Sequence, residues 1–393
     1  MLRILTVHNH YQQLGGEDTI FATESDLLES YGHPVRRYTV HNDRVTGMGT
    51  LALAQATLWN REIYQEIRSV IRDHRPEVVH FHNTFPLISP AAYHAAKAEG
   101  VAVVQTLHNY RLICPNGLFF RDGQICEDCL GKPVPFPGVL HGCYRNSRSA
   151  SAAVATMVKF HDWLGTWDRA VDVFIAYSQF ALKKLLAGGL PADKFQFKTN
   201  FLHPAPNPGQ GQGNYALFVG RLSPEKGIPT LLKAWQQLSG QIPLRIVGEG
   251  PLAPQVQAAI EQGANIEWLG RRPLSDVYEL MGEAQFLVFP SEWYETFGRV
   301  AIEAFAKGTP VLAANIGAIA ELVTPGQTGR HFQPGNATDL AEQVQWLLSH
   351  PHEMSQMRQQ ARSEFETKYT APENYQRLME IYGLALQAAG AKL

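Results

Sequence analysis

Two carboxylates, Glu295 and Glu303, stand eight positions apart in Glu295-Thr296-Phe297-Gly298-Arg299-Val300-Ala301-Ile302-Glu303, shortly after an apolar run that ends at Phe289. Gly298 permits close backbone approach. A helix beginning there offers unpaired N–H groups and the positive end of its dipole, a place for phosphate or for sugar hydroxyls. Glu303 then falls about one turn inside that helix. Two cations, Arg221 and Lys226, follow another apolar run within Gly220-Arg221-Leu222-Ser223-Pro224-Glu225-Lys226-Gly227. Fixed cations of this kind lower the barrier to departure of an anionic leaving group, and carboxylates accept hydrogen bonds from vicinal diols. The same side chains also suit a solvated charged loop and an ordinarily decorated helix, and the four residues alone do not decide between the two.

These positions need elements to hold them. Short apolar runs alternate with amphipathic stretches, predicting strands at Leu2–Val7, Val35–Val40, Val78–Phe81, Val101–Leu107 and Val171–Ala176. A second series follows at Tyr215–Val219, Leu244–Val247, Ile266–Leu269, Phe286–Phe289 and Pro310–Ala313. Such alternation predicts parallel sheets with right-handed crossovers and ligand loops at the carboxyl ends of the strands. His8, His82 and His108 each come just after such a strand, and Gly15-Gly16-Glu17-Asp18 opens the first helix. A Pro- and Gly-rich stretch from Phe201 to Asn214 reads as a linker. Its Gly-x-Gly-x-Gly run precedes a strand instead of joining strand to helix, so it is no dinucleotide fingerprint. The α/β chain thus divides into residues 1–205 and 206–371, with a helix over 372–393 whose Leu378, Ile381, Tyr382 and Ala385 recur at helical spacing.

The stretch from Glu295 to Glu303 resembles the E-x7-E motif of retaining glycosyltransferases of family 4 (glycosyl transferases group 1). Gly220 to Gly227, Val247-Gly248-Glu249-Gly250-Pro251 and Leu269-Gly270-Arg271 fall in register with the same family's landmarks. The resemblance covers nearly the whole chain. It implies a GT-B fold of two Rossmann-like domains facing each other across a cleft, the first binding the acceptor and the second a nucleotide diphosphate sugar, with the C-terminal helix packed back on the first. It implies that Arg221 and Lys226 hold the donor diphosphate, Glu303 the ribose hydroxyls and Glu295 the donor sugar. Gly220, Gly248, Gly270, Arg271, Thr296, Phe297 and Gly298 complete the donor site. Gly16 would approach the donor phosphate or the reacting sugar, and His108 would sit near that sugar as a positioning group. Structural alternatives stay open for both: a plain strand-to-helix turn, and a histidine bonded to backbone. His80 and His82, alternating on one strand with no evident carboxylate, read as structural.

The family transfers sugars with retention of configuration, and no carboxylate here is defensible as a covalent nucleophile, which favours a same-face displacement. No Asp-x-Asp occurs in the chain, so metal-free catalysis is expected, with UDP-hexose as the expected donor and a glycan or lipid-linked molecule as acceptor. A sugar-nucleotide epimerase, a phosphorylase of similar architecture and a catalytically silent nucleotide-sugar binder are the rival readings.

All four cysteines, Cys114, Cys126, Cys129 and Cys143, fall in one loop. Their clustering, with one C-x-x-C, suits a structural zinc; reduced thiols packed in a long insertion are the next alternative, and disulfide or redox use the last. After them Arg145, Arg148, Lys159, Phe160, Trp163 and Trp167 mix cations with aromatics, fitting either interdomain packing or peripheral membrane contact. A formal net charge of -2 gives no overall attraction to nucleic acid. The chain opens on a buried strand pattern and holds no run of about 20 apolar residues, so a cytoplasmic protein is expected, with peripheral placement at the inner membrane face as the alternative.

Overall fold

The computed structural model describes residues 1–12 and 15–390. It comprises two compact units, one made of Met1–Phe119, Glu127–Asn200 and the chain from Asn374 onward, the other of Phe120–Cys126 and Phe201–Glu373. The chain forms strands β1 (Ile4–His10), β2 (Val35–His41), β3 (Val78–Asn83) and β4 (Ala102–Thr106), a short hairpin of β5 (Phe120–Arg121) and β6 (Gln124–Ile125), then β7 (Val173–Ala176) and β8 (Phe195–Phe197). The first unit's sheet is parallel throughout, in the order β2-β1-β3-β4-β7-β8. Strands β3, β4 and β7 are buried along their whole length; β7 is accordingly an unbroken apolar run, whereas β3 and β4 carry buried polar residues, His80, His82, Asn83, Gln105 and Thr106, toward their carboxyl ends.

The second unit repeats the plan with β9 (Ala216–Val219), β10 (Leu244–Val247), β11 (Ile266–Gly270), β12 (Phe286–Phe289), β13 (Val311–Ala314) and β14 (Gly329–Phe332). Its order is β11-β10-β9-β12-β13-β14. In each sheet the chain runs outward from a central strand and then returns to that strand's other side: at β1 and β3 in the first unit, at β9 and β12 in the second. Crossovers leave in opposite directions at such a switch point, opening a crevice at the carboxyl ends of the two strands. Among the described residues no helix is long and apolar enough to cross a membrane.

Helix Ala371–Ala388 ends the described chain, and the part of the expected helix at Ala391–Leu393 lies outside the described residues. Its Leu378, Ile381, Tyr382, Ala385 and Leu386 pack into one core with Ile4, Leu28, Val78, Val104 and Ile175. Full burial of a large apolar side chain contributes about 1.5–3 kcal/mol, so this helix is an integral wall of the first unit. The core of the second unit gathers around Trp235, Phe286 and Phe332.

The stretch read as a loosening linker is ordered. Gly209, Gly211 and Gly213 donate their N–H groups to the carbonyls of Lys307, Gly282 and Glu283, each at 2.9 Å. A Cβ on Gly209 would lie 2.2 Å from Cα of Gly282, so the alternating glycines serve close backbone packing. Arg358 fixes the same helix end through the carbonyls of Ala284 and Gly282. The segment is a strap on the second unit.

Candidate active site

In the second unit, the loops that follow β9 and β12 meet at the switch point. Glu292 N–H donates to the carbonyl of Glu225 at 2.9 Å, and Lys226 Nζ donates to Glu295 Oε1 at 2.5 Å. The same Glu295 oxygen accepts from Ser291 Oγ and Trp293 Nε1, each at 2.9 Å, so the carboxylate is held from three sides. Lys226 also lies 5.3 Å from the Trp293 ring centroid, a cation–π arrangement that orients the ammonium. Arg221, its side chain 59% exposed, pairs with Glu225 Oε1, which Ser223 Oγ steadies at 2.7 Å. Burial favours the neutral form of Glu225, but hydrogen bonds from Ser223 and Arg221 outweigh it and hold the carboxyl below its ordinary value. Both cations are therefore poised on carboxylates that an incoming diphosphate can displace.

Helix Arg299–Ala306 starts at Gly298, whose φ is 110°. Glu303 is buried on it and accepts from Arg299 Nε at 3.0 Å. Burial raises the Glu303 carboxyl above the ordinary range, partly offset by Arg299. Phe297 turns its ring inward against Tyr369, so what it offers a ligand is its backbone. Gly248 stands at φ 138°, and a Cβ there would lie 1.9 Å from the carbonyl oxygen of Gly220. Gly220 N–H in turn bonds Val247 and Gly248 N–H bonds Gly270, so these three glycines knit the loops after β9, β10 and β11 together. Thr296 is half-buried and Arg271 is exposed just beyond β11.

In the first unit, Gly15 caps helix Gly16–Ser30 and donates its N–H to Asp18 Oδ2 at 2.7 Å. Asp18 Oδ1 faces His8 Nε2 at 2.9 Å and His10 Nδ1 at 3.0 Å. Burial alone would raise this carboxyl, but the bonds from His8, Gly15 and His10 bring it down to about 2. Glu17 accepts from Asn109 Nδ2 and Tyr11 Oη, each at 2.9 Å, tying the glycine turn to the loop after β4. Gln13 and Leu14 of this turn lie outside the described residues.

His108 sits in that loop, buried, with Nε2 3.2 Å from His82 Nδ1. His82 Nε2 lies 3.4 Å and His80 Nδ1 3.2 Å from Glu24 Oε1. The expectation that His80 and His82 have no carboxylate is therefore corrected: Glu24, carried by helix Gly16–Ser30, reaches both. Its other oxygen receives Lys198 Nζ at 2.6 Å, with both side chains 1% exposed. Burial favours neutral Glu24, but Lys198 and the neighbouring histidines hold it well below the ordinary range. Burial pushes His80, His82 and His108 below the ordinary imidazole value. His108 is thus a neutral hydrogen-bonding group, which suits positioning and not charge stabilisation. Glu24, Lys198 and the half-buried Arg111, whose guanidinium lies 4.5 Å from the Phe85 ring centroid, were not singled out by sequence reasoning. Their signal is weak in sequence because each is a common charged residue between unremarkable neighbours.

The described residues contain two groups of three convergent metal-ligating side chains, His8/His10/Asp18 and Glu24/His80/His82. Cys114, Cys129 and Cys143, all of the first unit, do not form a third. Cys114 Sγ instead donates to Asn116 Oδ1 at 3.0 Å, and burial raises its thiol above the ordinary value.

Comparison with known proteins agrees with this arrangement. Residues 3–200 match the family model described as Glycosyltransferase Family 4, and residues 202–364 match Glycosyl transferases group 1. The chain belongs to the group 1 glycosyl transferases of glycosyltransferase family 4. A glycogen synthase of Mycobacterium tuberculosis is 28% identical over 292 residues, 71% of this chain and 62% of that protein. An uncharacterized glycosyltransferase of Methanocaldococcus jannaschii is 32% identical over 142 residues, 36% of this chain and 40% of its own. The matches therefore span less than two thirds of these curated relatives. Among solved structures, sucrose-phosphate synthase from Thermosynechococcus elongatus superposes with a TM-score of 0.74 at 17% identity, covering 99% of this chain and 100% of the other. Anabaena HepE in complex with UDP and glucose gives 0.69 at 19% identity, covering 98% and 100%. The fold is GT-B.

Proposed function

We propose that this chain transfers a hexose from a nucleotide diphosphate sugar, UDP-hexose, to a glycan or lipid-linked acceptor, with retention of configuration and without a catalytic metal. The observation that carries the reading is the Lys226–Glu295 pair, which joins two loops at the switch point of the second sheet and sets a cation beside a carboxylate. Support for the donor comes from the Anabaena neighbour, solved with UDP and glucose. Arg221 and Lys226 stabilise the diphosphate as the bond from its terminal oxygen to the anomeric carbon breaks. The acceptor oxygen bonds the same face of that carbon, and its proton passes to the departing phosphate oxygen. Glu295 orients the sugar hydroxyls and Glu303 the ribose.

The test is release of UDP from UDP-hexose in excess chelator. Turnover is expected to persist. Complete loss that magnesium restores would refute metal independence, and conversion to an epimeric donor without UDP release would replace the transferase with an epimerase.

Glu303→Ala should act on binding. Ribose hydroxyls are alike in ground and transition states, so losing their partner removes uniform binding and raises KM at nearly constant kcat. A hydrogen bond to a charged group is worth roughly 1.5–3 kcal/mol, so KM should rise about tenfold to a hundredfold in initial-rate measurements. A fall in kcat at unchanged KM would remove Glu303 from the ribose site.

A further inference from the structure

Helix Phe136–Leu140 packs against helix Arg148–Trp163, and between them lies an open groove lined by Val134, Phe136, Val139, Ala152, Phe160 and Trp163. Its walls are apolar side chains left in solvent. Trp163 is 76% exposed, Phe136 56%, Leu140 50% and Val134 41%, four of the nine large apolar residues so exposed among the described residues, all within one short stretch. Helix Arg148–Trp163 is apolar on two sides: Val154 and Met157 are buried in the unit, whereas Ala152, Ala155, Phe160 and Trp163 line the groove. Trp163 is exposed, whereas Trp167 is buried.

The surrounding charge says what fits. Between Gly131 and Trp163 the chain carries Lys132, Arg145, Arg148 and Lys159 against one acid, Asp162, although the whole protein has a formal net charge of -2. Asp162 is itself engaged by Lys159 Nζ at 2.6 Å, and Arg148 Nε is fixed to the carbonyl of Leu140 at 2.9 Å, beside the apolar rim. An exposed aromatic and aliphatic patch bordered by lysine and arginine is the pattern of a surface that sinks its apolar side chains to the headgroup and acyl boundary while its cations meet anionic lipid. Tryptophan at the rim suits that boundary, being apolar in body with one polar N–H.

We propose that this groove and its basic border dock the protein on the surface of an anionic lipid bilayer, with Trp163 and Phe136 entering the interface. The inference does not rest on the transferase reading, because hydrolysis of UDP-hexose in vesicle-free buffer reports on that site separately. The experiment is co-sedimentation with phosphatidylglycerol–phosphatidylcholine vesicles. The protein should partition onto them, bind vesicles of phosphatidylcholine alone at least tenfold more weakly, and lose binding as salt screens the cations. Trp163→Ser with Phe136→Ser should lower partitioning at least tenfold, while vesicle-free hydrolysis and thermal melting stay unchanged. Lys132→Gln with Arg148→Gln should weaken binding to the anionic vesicles and leave the weak binding to neutral ones unaltered. Absence of binding to anionic vesicles, or equal binding by the Trp163 and Phe136 variants, would overturn the proposal. So would a dimer in sedimentation velocity that Trp163→Ser dissolves, since a second copy would then cover the groove.

Discussion

Lys226→Ala is expected to slow single-turnover transfer a hundredfold to a thousandfold while donor affinity changes far less. The reason lies in where charge develops. In the resting site Lys226 is already neutralised by Glu295 at 2.5 Å, so it contributes little to ground-state attraction. As the anomeric bond breaks, negative charge grows on the departing phosphate and the ammonium is drawn to it, leaving Glu295 to Ser291 and Trp293. Removing one fixed contact to a developing oxyanion costs on the order of 3–4 kcal/mol in the barrier. Arg221, mostly exposed and anchored to a different carboxylate, can compensate only in part. Glu295→Gln is the companion variant. It frees Lys226 in the ground state, so donor affinity should rise or hold while the sugar is less well placed, and the two substitutions should be non-additive because they share one contact. The measurement is rapid-quench turnover with enzyme in excess, beside donor titration. If Lys226→Ala loses affinity and chemistry proceeds at the original rate, its leaving-group role is wrong, and the start of the helix after Gly298 becomes the candidate for phosphate stabilisation.

That pair also marks how far the sequence can be read. Strands such as Phe286–Phe289 are legible because burial on both faces of a parallel sheet leaves an unbroken apolar run. Strand β14, Gly329-Arg330-His331-Phe332, gives no such run, since as an edge strand it pairs only β13 and its middle residues are half-buried. Strand β8 is an edge of three residues with a glutamine at its centre, and the hairpin of β5 and β6 has two residues a side, both too short for periodicity to register. The glycines of the second unit were legible as strand-end loops. That the loops after β9 and β12 touch was not, because adjacency of these strands follows from the order β11-β10-β9-β12-β13-β14 and not from any local pattern. The alternating glycines at 209, 211 and 213 show the converse: their composition suggests looseness, yet three backbone carbonyls far along the chain receive their N–H groups. Glu24 was invisible for a related reason. It lies among polar residues on a helix, and what distinguishes it from a solvated carboxylate is a lysine 174 positions away.

Lys198→Met should be among the most destabilising single changes in the first unit. Lys198 and Glu24 are each 1% exposed, and Lys198 also donates to Asn374 Oδ1 at 3.1 Å, linking the end of the first unit's sheet to the C-terminal helix. Removing one partner strands the other charge in the interior, at about 3–5 kcal/mol, or roughly 6–20 °C in Tm at 2–4 °C per kcal/mol. The pH dependence identifies the cause. In the native protein the Glu24 carboxyl is held well below its ordinary value, so the pair's contribution is complete above the unfolded carboxyl's pKa and is lost as pH falls through the folded one. Without Lys198 burial dominates and the Glu24 pKa moves up, so the variant takes up a proton on folding and is relieved as pH falls. The stability gap between the two proteins should therefore be widest near neutrality and narrow steadily toward pH 5. Adding Glu24→Gln to Lys198→Met should recover part of the loss, since a neutral amide can remain among His80, His82 and Asn374 at a lower desolvation cost. Urea denaturation across that pH range measures all three proteins. A gap that widens in acid, or a double variant as unstable as the sum of the singles, would show that the buried carboxylate is not what the lysine compensates. In that case the contact of the lysine's Nζ with the Tyr177 ring, 5.8 Å from its centroid, would be the source of its stability.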